Sequence, residues 1–411
     1  MMTSSTTPSP SATVLGLGGC LDYETVWDSA VMTGLARDHG IGRDDLVRGD
    51  VIETERDLVR SILAFVRDGV GGERAVASHD VVEAVAGRHE RRVTLGGTSV
   101  RAALAMSAVG IPSTLHLVAE DDHVRALLPD DVEYICSRDA DAINPHLIMQ
   151  FPAGARVELA DGTVVESQRA NRLIYVCDPP NREMALADEL GDLLATAQVF
   201  LISGFNSMTD QPMLVRRMRE LRDAMERLPA EATVVFEDGG YHVPGFERIV
   251  IDAITDRVDV YGMNEDELQA YVGRPVDLLD PVDVAAALRR VRTIVPARTL
   301  VVHTQHWALA HGTAAATMAA ALEGGIDMAS ARYLHGDGLD IARLASVREV
   351  PRQSAGEEFS LRLAAMLGTD VACVAARELV TDAPTTIGLG DAFVGGLVAS
   401  LATGVAQGRS S

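Results

Sequence analysis

The chain has 411 residues, 47% hydrophobic and 23% charged, and its 36 Lys-or-Arg positions are all arginine. With no lysine there can be no Schiff-base or pyridoxal-phosphate chemistry, no Walker A lysine and no protein-kinase strand lysine. The 59 acidic residues give a net charge of −23, which repels nucleic acid and anionic membranes and leaves phosphate to arginine, backbone amides and metal.

Residues 1–12 are rich in Ser, Thr and Pro and are expected to be a disordered leader, with residues 404–411 a flexible tail. Between them, apolar runs at Val14–Leu17, Val199–Ile202, Thr233–Phe236, Val258–Tyr261 and Leu300–His303 read as buried parallel strands. Amphipathic stretches such as Met213–Leu228 and Pro281–Val295 read as the helices between them. This alternation predicts an α/β fold, a doubly wound sheet sandwiched by helices, with ligands beyond the carboxyl ends of the strands. The rhythm breaks over His146–Asp178, where His146–Phe151, Arg156–Leu159 with Thr163–Glu166, and Leu173–Cys177 follow one another. Asp161-Gly162 marks a hairpin turn there, so a smaller β-rich lid is expected from about 143–180, joined by parts of 20–92. Cys20, Cys136, Cys177 and Cys373 are far apart, which points to free thiols rather than disulfides or a zinc framework, and to a cytoplasmic protein. The uncharged run Thr299–Leu322 carries His303, Gln305, His306 and His311 and is too polar to span a membrane.

Chemistry concentrates near the C-terminus, at Thr385-Thr386-Ile387-Gly388-Leu389-Gly390-Asp391-Ala392-Phe393, followed by an apolar helix to about Thr403. A glycine-rich turn opening a helix presents backbone N–H groups at the positive end of the dipole, a place for an anion or a transferring phosphoryl group. An aspartate there can accept a proton from an attacking hydroxyl, or can simply cap the helix. Glu237 ends one strand, and Asn264 with Glu267 begins a helix after the next. Two carboxylates at adjacent strand ends suit Mg²⁺, while Asn264 and Glu267 also read as a capping box. His303 and His306 lie three apart without a Cys or carboxylate cluster, so zinc is not expected there. Gly16-Leu17-Gly18-Gly19 lacks the third glycine of a dinucleotide loop.

In this order, Gly19-Cys20-Leu21-Asp22, Gly96-Gly97-Thr98-Ser99, Arg169-Ala170-Asn171-Arg172, Asn264-Glu265-Asp266-Glu267 and Gly388-Leu389-Gly390-Asp391 resemble the blocks of the ADP-dependent glucokinase and phosphofructokinase family of the ribokinase-like superfamily. The resemblance runs from about Val14 to Thr403. It implies a ribokinase-like fold and a Mg²⁺-dependent kinase that moves the β-phosphate of ADP to a hexose hydroxyl. Asp391 would be the catalytic base, and Gly388, Leu389 and Gly390 the anion hole. Asp22, Gly96, Gly97, Thr98, Glu73 and Arg172 would bind the sugar; Arg172, Asn264, His303 and Thr304 would bind the nucleotide; Glu237, Glu267 and Asp391 would organise the metal. One departure is Val235, where the family keeps a histidine two residues before the metal-linked glutamate; its loss removes a supporting partner.

Glu73, aligned with a family glutamate that contacts the glucose 2-hydroxyl, leans the expected acceptor toward glucose. So does the His146–Gly154 strand, which offers nothing cationic besides His146 to add to Arg172, with fructose 6-phosphate kept open. Two other readings stand beside this one: an ATP-dependent ribokinase-like carbohydrate or nucleoside kinase, and a non-catalytic sugar- or nucleotide-binding relative. The expected partners are a sugar or sugar phosphate and ADP, not nucleic acid or membrane, in a monomer or small homo-oligomer.

Overall fold

The structure, a computed structural model, describes residues 12–49, 51–138, 144–381 and 384–408. Of the expected leader only residue 12 is described, and residues 409–411 of the expected tail lie outside; residues 404–408 continue the last helix. In chain order the strands begin with β1 (Thr13–Leu15), β2 (Cys20–Thr25), β3 (Gly72–Ala75), β4 (Arg91–Gly96), β5 (Ser113–Leu117) and β6 (Val132–Cys136). Next come β7 (His146–Phe151), β8 (Arg156–Glu158), β9 (Val164–Glu166) and β10 (Asn171–Val176). The rest are β11 (Val199–Ile202), β12 (Thr233–Glu237), β13 (Val260–Asn264), β14 (Thr299–His303), β15 (Trp307–Gly312) and β16 (Val371–Ala375).

The large sheet has the order β16-β15-β14-β13-β12-β11-β1-β5-β6. Every neighbouring pair from β14 to β6 is parallel, and β15 runs antiparallel between β14 and β16. Both faces are covered, as the unbroken apolar strand runs require. In β11, Phe200 and Ile202 enter one core with Leu214, Leu221, Val250 and Leu288 of the helices on that side. Val199 and Leu201 enter the other, with Val100, Met106, Leu322, Phe393 and Leu397 of the helices opposite. The run Thr299–Leu322 is β14, β15 and the start of the helix Ala319–His335, its strands buried in the sheet and Thr313 and Ala314 exposed after them; no helix among the described residues is long and apolar enough to cross a membrane. Strand β1 has β11 on one side and β5 on the other, so the chain winds outward in both directions from it. That reversal opens a crevice at the carboxyl ends of β1 and β11.

The smaller sheet, β3-β10-β7-β2-β4, draws its strands from 20–96 and 146–176. Period-two alternation divides its faces. Leu147, Met149, Phe151, Leu173 and Tyr175 pack against Leu58, Val59 and Ile62 of the helix Glu55–Asp68. His146, Ile148, Arg172, Ile174 and Val176 face the crevice instead. The Asp161-Gly162 turn closes the hairpin β8–β9: Gly162 takes a φ of +81°, and Asp161 Oδ1 accepts from the Thr163 amide at 2.9 Å. The strand expected at Val258–Tyr261 is Val260–Asn264, two residues later, with Val258 packed in the core before it. The shift carries Asn264 to the strand end, where it starts the next helix.

Candidate active site

A cavity of about 320 Å³ opens at the switch point between the two sheets. Asp22, on β2, reaches it buried and held: Oδ2 accepts from Arg101 Nη2 at 2.7 Å, while Oδ1 lies 3.5 Å from His146 Nδ1 and 3.5 Å from Cys20 Sγ. The pairing of β2 with β7 sets Asp22 directly opposite His146. His146 Nε2 donates to Asp178 Oδ2 at 2.9 Å, and Asp178 also accepts from the Asn181 amide nitrogens. Burial opposes charge on His146, but Cys20 and Asp178 beside it raise its pKa well above the usual value. Burial and the neighbouring Asp22 push the Cys20 thiol up to about 12. Gly96 stands behind this group: a Cβ there would meet Asp22 Oδ2 at 2.4 Å and Cys20 Sγ at 2.6 Å. Gly97 and Thr98, which open the helix Thr98–Ala108, line the cavity themselves, as does Glu73, bonded to His242 Nε2 at 2.8 Å.

A second cavity, of about 580 Å³, lies along the ends of β13 and β14. Asn264 caps the helix Glu265–Val272, Oδ1 accepting from the Asp266 amide at 2.7 Å and the Glu267 amide at 3.2 Å; Glu267 Oε2 accepts in return from the Asn264 amide at 2.8 Å. The capping-box reading of these residues is therefore realised, and Asn264 still lines the cavity. Thr304 lines it too, while its hydroxyl closes the turn before Trp307. Glu237 does not line the cavity; its Oε1 accepts from His303 Nε2 at 2.8 Å, and His303 does. Strand β14 thus supplies an imidazole partner to the glutamate that Val235 fails to supply, Val235 itself being packed in the core. Gly262 makes room for Glu237, since a Cβ there would sit 2.0 Å from Oε2. Burial, then the neighbouring Glu237 and Asp238, push Glu267 up to about 7 despite its bond from the Asn264 amide.

Three residues line both cavities: Arg172, Gly388 and Asp391. Asp391 lies in the first turn of the helix Leu389–Gly408, with Arg101 Nε 3.9 Å away. Gly388 takes a φ of +71°, and a Cβ there would meet Arg101 Cδ at 3.0 Å and Arg332 Nε at 3.2 Å, so only glycine can turn the chain into the helix at this point. The first amides of a helix lack intrahelical partners, and here they belong to residues that line the second cavity, Gly388 to Asp391. Arg332 Nε fixes the preceding Ile387 carbonyl at 2.8 Å. Arg172, on β10 of the small sheet, reaches across to the Thr386 carbonyl at 3.0 Å. Its neighbour Arg169 is exposed and lines neither cavity.

The residues expected to bind sugar converge on the first cavity, except that Gly96 backs Asp22 without lining the cavity. Those expected to bind nucleotide line the second. Glu237, Glu267 and Asp391 are not gathered into one direct ligand set: among the described residues, the His/Cys/Asp/Glu group close enough for that is Cys20, Asp22 and His146. Sequence reading missed Arg101, Asp178, Asn181, Arg182 and His242, all lining the first cavity. Arg101 left one signal, a lone charge in the apolar helix Thr98–Ala108 after the glycine pair.

Two cavities that meet at a carboxylate on a helix N-terminus, at the switch point of a doubly wound sheet, define an enzyme that passes a group between two bound molecules. The family profile described as "ADP-specific Phosphofructokinase/Glucokinase conserved region" matches residues 12–280. The chain belongs to this family of ADP-dependent sugar kinases, which are phosphotransferases. No curated protein matches it. Among solved structures it is similar to a phosphofructokinase from Pyrococcus horikoshii OT3 with AMP, at 16% identity and a TM-score of 0.78, over 97% of this chain and 99% of that one. It is also similar to an ADP-dependent kinase in complex with fructose-6-phosphate and ADPβS, at 14% identity and a TM-score of 0.69, over 95% and 93% of the two chains. A hypothetical ADP-dependent phosphofructokinase from Pyrococcus horikoshii OT3 gives 16% identity and a TM-score of 0.75, over 97% and 99%. At such identities the likeness concerns the fold.

Proposed function

We propose that the chain transfers the β-phosphate of ADP to a hydroxyl of fructose 6-phosphate, with Mg²⁺, in preference to glucose. The observation that carries the transfer is that Arg172, Gly388 and Asp391 line both cavities, so an acceptor in one and a donor in the other meet at these groups. The acceptor lies against Asp22, Gly97 and Thr98, and ADP lies along Asn264, His303 and Thr304. Asp391 takes the proton of the attacking hydroxyl as its oxygen bonds to the β-phosphorus and the bond to the AMP oxygen breaks. The amides from Gly388 to Asp391, with Arg172, meet the charge on the transferring group. The residues present fit a divalent ion: burial, and then Glu237 and Asp238 beside it, disfavour a charged Glu267, and a cation would offset this. Neither Glu237 nor Glu267 lines the second cavity itself, so they would hold Mg²⁺ through water, and the ion would neutralise phosphate oxygens. The small sheet, tied to the anion hole through Arg172, acts as the lid that keeps water from the phosphoryl group.

The phosphorylated acceptor is favoured by a second observation. Arg182 lines the first cavity in addition to Arg172, a guanidinium from outside the small sheet. Arg182 Nε is buried with no hydrogen-bond partner among the described residues, and neither Arg172 nor Arg182 forms an ion pair among them. An unpaired guanidinium in a sugar-sized cavity suits a phosphate. The test of the transfer chemistry is Asp391→Asn. Turnover of ADP with fructose 6-phosphate should fall by about 10²–10⁴-fold while calorimetric binding of fructose 6-phosphate persists. Activity within a few-fold of wild type would remove Asp391 as the base.

A further inference from the structure

Cys20, Asp22 and His146 form a chemically different group from the rest of the first cavity. Their Sγ, carboxylate oxygen and imidazole nitrogen all lie within 4.8 Å of one another. Cys20 Sγ and His146 Nδ1 each stand 3.5 Å from the same atom, Asp22 Oδ1. Zinc bonds of roughly 2.0–2.3 Å in a tetrahedron place neighbouring ligand atoms about 3.3–3.7 Å apart, so the two spacings at Asp22 Oδ1 match edges of a zinc tetrahedron. The imidazole is oriented from behind: Nε2 donates to Asp178 Oδ2 at 2.9 Å, and Asp178 is itself held by Asn181, the carboxylate–histidine arrangement that supports metal-bound histidines. All three ligand residues line the cavity, which leaves a fourth position open to water or a bound molecule. The ligand types also discriminate, since thiolate with imidazole selects a borderline ion over Mg²⁺.

We infer that Cys20, Asp22 and His146 form a site for a thiophilic divalent cation, Zn²⁺ or Co²⁺, separate from the Mg²⁺ and nucleotide region. Binding forms bonds to the Cys20 sulfur, an Asp22 oxygen and His146 Nδ1. The thiol proton goes to solvent, and so does the Nδ1 proton when the ring is charged. The site does not depend on the kinase reading. If that reading holds, the ion and the sugar contend for Asp22, and zinc inhibits the enzyme.

The test uses the full chain free of chelators, added thiols, sugar and nucleotide. Zn²⁺ followed by calorimetry is expected to bind, and Co²⁺ is expected to develop the intense near-ultraviolet absorption of a thiolate–cobalt bond. Cys20→Ser, nearly the same shape, should abolish that band and weaken zinc binding by at least about tenfold, whereas Cys373→Ser should keep both. Asp178→Asn should weaken zinc by about 10–100-fold while leaving the cobalt band in place at saturating metal. No thiolate band in the wild type, a band that survives Cys20→Ser, or equal zinc affinity in wild type and Cys20→Ser would each overturn the site. None of these measurements reads phosphoryl transfer, so failure of the site and failure of the kinase reading are told apart.

Discussion

Three arginines reach the first cavity, and what each touches sets what it can bind. Arg101 is 8% exposed in its side chain and committed to Asp22 and Glu24 at 2.7 and 3.4 Å, with Asp391 at 3.9 Å. Burial works against its charge, but Asp22 and Asp391 outweigh this and raise its pKa, so it organises carboxylates rather than meeting a ligand. Arg172 gives one donor to the Thr386 carbonyl and keeps its remaining donors for a bound molecule. Arg182 donates from its backbone amide to the Asp178 carbonyl, while its side-chain Nε has no partner among the described residues. If Arg182 meets the acceptor's phosphate, Arg182→Gln should raise KM for fructose 6-phosphate by about 10–100-fold, the worth of a charged hydrogen bond, with kcat within a few-fold. Steady-state kinetics checks this, and an unchanged KM would put the phosphate elsewhere.

Strand β5 shows how an element near the site is tied to its surroundings and how that tie responds to pH. His116, fully buried in β5, accepts from the Ala187 amide through Nε2 at 2.9 Å, and its Nδ1 has no partner among the described residues. Burial lowers its pKa from 6.5 to about 4. In the unfolded chain the ring takes up a proton near pH 6.5, and in the folded one only near 4. Its contribution is therefore complete above about pH 6.5 and is lost as pH falls through 4. The loss is on the order of 3 kcal/mol. Denaturant unfolding at pH 7 and pH 4 should show a smaller loss of stability on acidification in His116→Gln, whose amide can still accept from Ala187, than in the wild type. Equal losses would mean that His116 titrates normally. Other ties at this scale are local and sequence-encoded, such as the Asn264–Glu267 capping box.

For the whole molecule, what was legible in the sequence is what the chain specifies locally. Continuous apolar runs marked β11, β12 and β14, Asp161-Gly162 marked the hairpin, and the glycine pair before Asp391 marked a helix start between the cavities. The contacts that build the first cavity were not legible, because topology and not spacing makes them. Arg101 and Asp22 meet across 79 residues through the pairing of β2 with β4, and His146 and Asp178 across 32 through the pairing of β7 with β10. The same holds for His303, which reaches Glu237 across 66 residues to stand in for the histidine missing at Val235. Nor does the β7 sequence reveal Arg182, the guanidinium that reaches this cavity from outside the small sheet. Both sheets contribute walls to the cavity that receives the acceptor, so donor and acceptor choice are properties of the assembled chain. Initial-rate assays that cross ADP or ATP with fructose 6-phosphate or glucose test them most directly. ADP with fructose 6-phosphate should give the highest kcat/KM, by at least about tenfold over every other pair, a difference of about 1.4 kcal/mol in transition-state binding. Turnover confined to ATP, or turnover with no pair at all, would contradict it.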